Sequence, residues 1–381
     1  MSTLDRGRAR AVPVPLHPHA LRVDGVAAML NAELADDPVY DGIELQRFDD
    51  DVHGTGMLVF LSRRDDRTVD YYAEPGLRLD RAGYRIGAGT RSWTETDLGT
   101  ARLDVLQDGV VAAVRFTDVD GRLVEVDVDD RDGRPRRRAR LLAPVSAGID
   151  RPCSLLLVWL GGFDLVRVTA RRPVIRIDGR TASTGRLPGV RLHHRHLIKY
   201  AAPLCSVELN RDAGGPAGLG GPHEDAGGDD ARADAGAATG RVEATADGTA
   251  VRRITAARAP HTAAVTFEPP FPDLRALAPG DPASGRWWLE ADGARLTGGA
   301  WSAARADDVV DVALDVHERW RPGRLPLLMR VVTAVVPVFR RWPTTYAWRA
   351  TVDLGNPQQV SGGWHRTGGQ DGAAYRRATG S

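Results

Sequence analysis

The sequence predicts an all-β protein built as two antiparallel barrel- or sandwich-like lobes with one or two short helices. Three observations carry that expectation. Apolar side chains recur at every second position over much of the chain, Asp-Gly pairs punctuate these runs, and 42 of the 381 residues are glycine. At about 150 residues per domain the length suggests two domains. Short antiparallel strands in such number must close into barrels or stack as sheets, because open edges expose unpaired backbone groups.

In chain order, the first element is expected to be a helix in HALRVDGVAAMLNAELADD (19–37), where Leu21, Val26, Met29, Leu30 and Leu34 approach helical spacing and Asp24 offers a cap. Strands follow at 43–48, 56–64, 68–75 and 100–107. The clearest unit is VVAAVRFT, then DVDG, then RLVEVDVDD: Val124, Val126 and Val128 take one face, Glu125, Asp127 and Asp129 the other. Asp-Gly pairs at 108–109, 120–121, 132–133 and 178–179 mark hairpin turns. Further strands are expected at 154–160, 164–170 and 174–179, with Asp164 read as a turn residue after Gly161-Gly162 or, alternatively, as a buried acid.

Residues 211–240 contain almost no large apolar side chain and are expected to form a disordered linker or insertion between lobes at 1–210 and 241–381. Beyond it, TAAVTFE, RWWLEADG, ARLTGGAW and DDVVDVALDVHERW continue the strand pattern. PLLMRVVTAVVPVFRRW (326–342) reads as a short helix limited by Pro337, or as a buried strand pair, and the tail after Trp364 as frayed.

Length, β content and a short helix near a barrel end give a layout that resembles two-lobed calycin-type proteins such as carotenoid hydratases and tocopherol cyclases. The resemblance implies a barrel interior for an isoprenoid-like ligand. It carries no motif and assigns no residue.

Composition excludes several classes. Lys+Arg 51 against Asp+Glu 50 leave a formal charge of +1, so no single-sign field steers the chain towards nucleic acid. Fifty of the basic residues are Arg, as a GC-rich genome produces, and that richness is no sign of RNA binding. The two cysteines, Cys153 and Cys205, cannot build a disulfide framework. With no apolar leader in MSTLDRGRARAVPVPLHPH and no apolar run of about 18 residues, a cytoplasmic location is expected.

Candidate chemistry is local. LHHRHLIKY (192–200) sets His194, His196 and Tyr200 on one strand face and Lys199 on the other. An H-x-H pair supplies two metal ligands, but a third, from His53, His317 or Glu318, has no diagnostic spacing, so no metal and no cofactor is expected. A solvated basic strand is the competing reading. Lys199, the only lysine, can lose its proton where arginine cannot. In TVDYYAEP, Asp70, Tyr72 and Glu74 share a face, and turned into a barrel they suit acid/base work; on a solvated edge they do nothing chemical. The G-x-G in GYRIGAGTRSWTE lacks a dinucleotide context. The acidic run from Asp118 to Gly133 misses EF-hand order and is expected to be partly neutralised by Arg134, Arg136, Arg137, Arg138 and Arg140. Nucleophile motifs are absent.

Seven of nine tryptophans follow the linker, which suits an aromatic-lined interior. These observations predict binding of a small apolar or isoprenoid-like molecule. The alternatives are an acid/base enzyme (hydratase, cyclase or isomerase) drawing on Asp70, Tyr72, Glu74, His194, His196, Lys199 and Tyr200, and an interaction protein without a ligand. Weak membrane-surface contact through residues 324–341 and no nucleic-acid partner are also expected.

Overall fold

Period-two burial is realised as strands almost throughout. The computed structural model describes residues 14–81, 84, 86–143, 151–184, 195–211, 238–320, 334 and 341–367. Before residue 150 it contains β1 (Leu21–Val26), β2 (Ala28–Glu33), β3 (Tyr40–Asp50), β4 (Gly54–Arg63), β5 (Val69–Ala73), β6 (Thr90–Glu95), β7 (Arg102–Leu106), β8 (Gly109–Thr117), β9 (Leu123–Asp129) and β10 (Ala139–Ala143). Next come β11 (Leu155–Arg167), β12 (Val174–Ile177), β13 (Arg180–Thr181), β14 (Arg195–Ala201), β15 (Leu204–Leu209), β16 (Ala238–Thr239) and β17 (Arg241–Ala244). The last are β18 (Ala250–Arg258), β19 (His261–Pro272), β20 (Ala283–Ala291), β21 (Ala294–Ala306), β22 (Val309–Val316), β23 (Tyr346–Asp353) and β24 (Val360–Arg366).

Three sheets result, one of them curled into a half-barrel. An eleven-stranded sheet runs β16-β1-β15-β11-β14-β2-β3-β4-β5-β6, with β10 also paired to β11. A five-stranded sheet runs β13-β12-β9-β8-β7, and β17 to β24 form an eight-stranded meander. Among the described strands only β5 and β6 pair in parallel.

Two cores follow. Leu30, Leu45, Val59, Tyr72 and Tyr200 pack with Val114, Val126 and Ile175 of the five-stranded sheet. Leu21, Val23, Leu157 and Val207 pack with Val265, Trp287, Leu314 and Trp348 of the meander, so strands from early in the chain close the C-terminal core. A glycine pair lets β11 serve both. Residues 155–160 pair with β15, whereas Asp164 and Leu165 pair with β14. Gly162 has φ +50, and a Cβ on Gly161 would lie 2.8 Å from the Pro203 carbonyl oxygen. The strand therefore turns the corner only without side chains there.

The helix expected over 19–37 is instead β1 and β2. Burial alternates at Leu21 and Val23 and again at Ala28, Leu30 and Ala32, and tertiary pairing with β15 and β3 overrides the near-helical spacing. Asp164 follows the glycine bulge inside β11, so the turn reading is also corrected. The hairpins at 108–109, 120–121 and 178–179 form; Asp178 (φ 51) and Gly179 (φ 77) adopt the left-handed pair a two-residue turn needs. No hairpin forms at Asp132-Gly133, where the chain crosses from β9 to β10. Val124, Val126 and Val128 are buried as expected. Asp127 and Asp129 pair mainly with Arg171 and Arg131, while Arg136 turns inward to Asp130. The segment 324–341, apart from Ala334 and Arg341, and residues 212–237 of the linker expected over 211–240 lie outside the described residues. No helix among the described residues is long and apolar enough to cross a membrane.

Candidate functional site

Both faces of β5 are covered. Val69, Tyr71 and Ala73 pack with Phe48, Leu58 and Phe60, while Asp70 and Tyr72 face the N-terminal core side of the strand. Asp70 is fully buried, and its carboxylate accepts from Arg63 (3.1 Å), Arg91 (3.1 Å) and the Ser92 hydroxyl (2.7 Å). Asp120 in the β8–β9 turn accepts from the same Arg63 at 2.9 Å, and its neighbour Asp118 accepts from the Tyr40 hydroxyl at 3.0 Å. The Tyr72 hydroxyl accepts from the Val119 amide at 3.1 Å; burial pushes the phenol up to about 12, so it stays protonated. Glu74 accepts from the Met57 amide at 2.7 Å. This constellation ties the β8–β9 turn to β4, β5 and β6.

The 192–200 cluster divides as strand geometry requires. His196, Ile198 and Tyr200 are buried, whereas Lys199 lies on the outer face in a 2.9 Å ion pair with Glu33. His194 lies outside the described residues. The Tyr200 hydroxyl accepts from Arg136 at 3.0 Å and is 3.4 Å from Asp164; burial raises this phenol to about 12 as well. Tyr72 and Tyr200 share one row of the sheet, through Val59, Leu45 and Leu30. Four strand spacings, about 19 Å along the sheet, and three aliphatic side chains separate them. The two candidate groups therefore share a core without meeting. Lys199→Ala is expected to change stability by less than about 0.5 kcal/mol in urea titrations, because an exposed pair gains little over its hydrated ions.

The most unusual buried polar pair was not among the sequence candidates. His17 and His19 precede β1 and continue its inward face, occupying the register positions before Leu21 and Val23, all four of them buried. Extending the Leu21/Val23 alternation backwards would have found them; reading 19–37 as a helix broke that register. The segment is tied down by the Leu274 amide donating to the Leu16 carbonyl (3.1 Å) and the Asn210 amide donating to the Ala20 carbonyl (2.8 Å). It delivers His19 into an aromatic shell of Phe267 (5.0 Å between centroids), Phe271 (4.7 Å) and Trp348 (5.5 Å). The two imidazoles stack 6.4 Å apart with 19° between planes.

Each Nδ1 has a donor facing it. The His19 amide donates to His17 Nδ1 at 3.3 Å, and Asn210 Nδ2 lies 3.2 Å from His19 Nδ1. Each Nε2 is buried with no hydrogen-bond partner among the described residues. Burial depresses both imidazoles, His17 to about 4 and His19 well below its ordinary value, so both are neutral at pH 7. As the pH falls from 6.5 towards 4, the unfolded chain binds protons that the folded one refuses, and stability is expected to drop. Glu44 acts oppositely: burial lifts its carboxyl to about 7 despite bonds from Asn31 and Gln46, so its contribution is full below about 4.5 and is lost as pH rises through 7. Because the two windows overlap with opposite sign, urea midpoints between pH 4.5 and 6.5 should rise less with pH in a His17→Phe/His19→Phe variant and rise more with pH in Glu44→Gln. An unchanged profile in either variant would exclude the corresponding group.

No group of three or more His, Cys, Asp or Glu side chains stands together as a metal site among the described residues. His53, considered as a third ligand, instead sits between Asp24 (3.2 Å) and Asp50 (3.1 Å), in a network with Arg258 that joins β1, the β3–β4 turn and the β18–β19 turn. Compared with protein-family models, with curated proteins and with solved structures, the chain matches none.

Proposed function

We propose that the protein binds a small, predominantly apolar molecule within the C-terminal lobe, beside His17 and His19. The observation that carries this reading is the pair of buried, neutral imidazoles, each with an Nε2 that has no hydrogen-bond partner among the described residues, and with His19 set among Phe267, Phe271 and Trp348. An unpaired buried polar atom is costly, and a ligand that satisfies it removes the cost. Aromatic walls with a few polar groups suit apolar ligands. Binding is favoured over acid/base catalysis at the sequence candidates because Asp70, Tyr72, Glu74 and Tyr200 already have protein partners. A calycin-like arrangement for an isoprenoid-like or other lipid ligand belongs to the same reading. So does a cytoplasmic location, which a content of only two cysteines in 381 residues supports.

Titration of the full chain with N-phenyl-1-naphthylamine, an apolar fluorophore, tests the reading. Saturable enhancement with energy transfer from tryptophan is the expected result. A response no greater than in buffer would overturn it.

A further inference from the structure

The hydrogen bonds around the two histidines determine which kind of atom the ligand must bring. A backbone N–H only donates, so His17 Nδ1, facing the His19 amide, must be the acceptor in that bond. Asn210 gives the same answer for His19. Its Oδ1 accepts from the Ala20 amide at 3.0 Å, which identifies the other amide atom as the NH2 group, and that group faces His19 Nδ1. With Nδ1 accepting in both neutral rings, the single ring proton resides on Nε2 in both. The interior therefore presents two N–H donors on nearly parallel rings, and the Phe267, Phe271 and Trp348 rings around His19 offer no oxygen acceptor.

We propose that this site selects an apolar ligand carrying a neutral carbonyl oxygen, as in a ketone, quinone or ester, which accepts from the Nε2–H of His17 or His19. The proposal rests on the reading that this lobe holds a small apolar molecule, and it goes further by fixing the functional group. A pure hydrocarbon leaves both donors unpaired. A hydroxyl adds a donor that has no counterpart beside the rings. A carboxylate brings a charge into an aromatic environment that disfavours ions. A metal needs the Nε2 lone pair, which this tautomer does not offer.

Long-range proton–nitrogen correlation spectra of the full-length protein report the tautomers, and titrations with benzophenone and the similarly shaped hydrocarbon diphenylmethane report the selectivity. The expected results are Nε2–H in both rings, at least about tenfold tighter binding of benzophenone, and a downfield shift of one or both Nε2 protons on adding it. In His17→Phe/His19→Phe the preference for benzophenone over diphenylmethane should fall to about one. Should that variant not fold, the proton shift in the unaltered protein decides.

Nδ1–H tautomers, equal affinity for the two probes, or Zn2+ bound at both Nε2 atoms would overturn the proposal. Equal binding of both probes leaves the apolar-ligand reading standing and removes only the carbonyl preference. Binding of neither probe removes both.

Discussion

Asp130→Ala is expected to destabilise the protein by about 4 kcal/mol in urea or thermal unfolding, the cost of stranding one member of a buried ion pair. Asp130 and Arg136 expose 2% and 0% of their side chains, and their atoms approach to 2.5 Å. The carboxylate also accepts from the Val110 amide at 2.8 Å and the Arg167 amide at 2.9 Å, so it joins β8, β11 and the chain leading into β10. Alanine leaves a guanidinium out of water without its counter-ion and frees two backbone donors. Asp127→Ala is the control, because its pair with Arg171 is exposed on both sides and should contribute less than about 1 kcal/mol. Similar losses in the two variants would refute the assignment of Asp130 as the anchor of this corner.

Trp287→Ala should cost a comparable amount, about 4 kcal/mol, through the cavity it leaves. The indole is fully buried in the C-terminal core, and its Nε1 donates to the Ala300 (3.1 Å) and Asp315 (3.2 Å) carbonyls, tying β20 to β21 and β22. Gly299 makes that approach possible. A Cβ there would sit 1.7 Å from the Asp315 carbonyl oxygen, closer than any backbone adjustment within a paired sheet allows. Trp287→Phe should lose less than Trp287→Ala, since it keeps most of the apolar contact and forfeits the two bonds. Equal losses would place the stabilisation in the hydrogen bonds and not in packing.

The apolar rhythm was legible wherever a strand buries one face and hydrates the other, as in Leu123–Asp129. It misled where adjacent strands are short. In 19–37 two six-residue strands separated by Ala27 put Leu21, Val26, Met29, Leu30 and Leu34 close to a helical spacing, and only pairing with β15, β3 and β14 distinguishes the two. At β5 the residue faces were readable but their surroundings were not. The partners of Asp70 are Arg63, Arg91 and Ser92, and no local pattern announces that three strands will meet there.

The candidate site shows the same division. The H-x-H pair at His194 and His196 drew attention because three histidines, the only lysine and a tyrosine crowd into nine positions, whereas His17 and His19, at identical spacing, lay in the stretch read only for its lack of an apolar leader and at the start of the expected helix. Their chemistry depends on Asn210, 191 residues away from His19, and on aromatic rings from β19 and β23.

Side-chain alternation, turn residues and the scarcity of lysine and cysteine are properties of neighbouring positions, and they were enough to specify an all-β chain with most of its hairpins. Which strands close which core, which carboxylates are neutralised and which ring nitrogens face an apolar interior depend on residues far apart in the sequence. Burial and hydrogen-bond pairing are set by whatever the folded chain brings alongside, so those decisions belong to the tertiary structure.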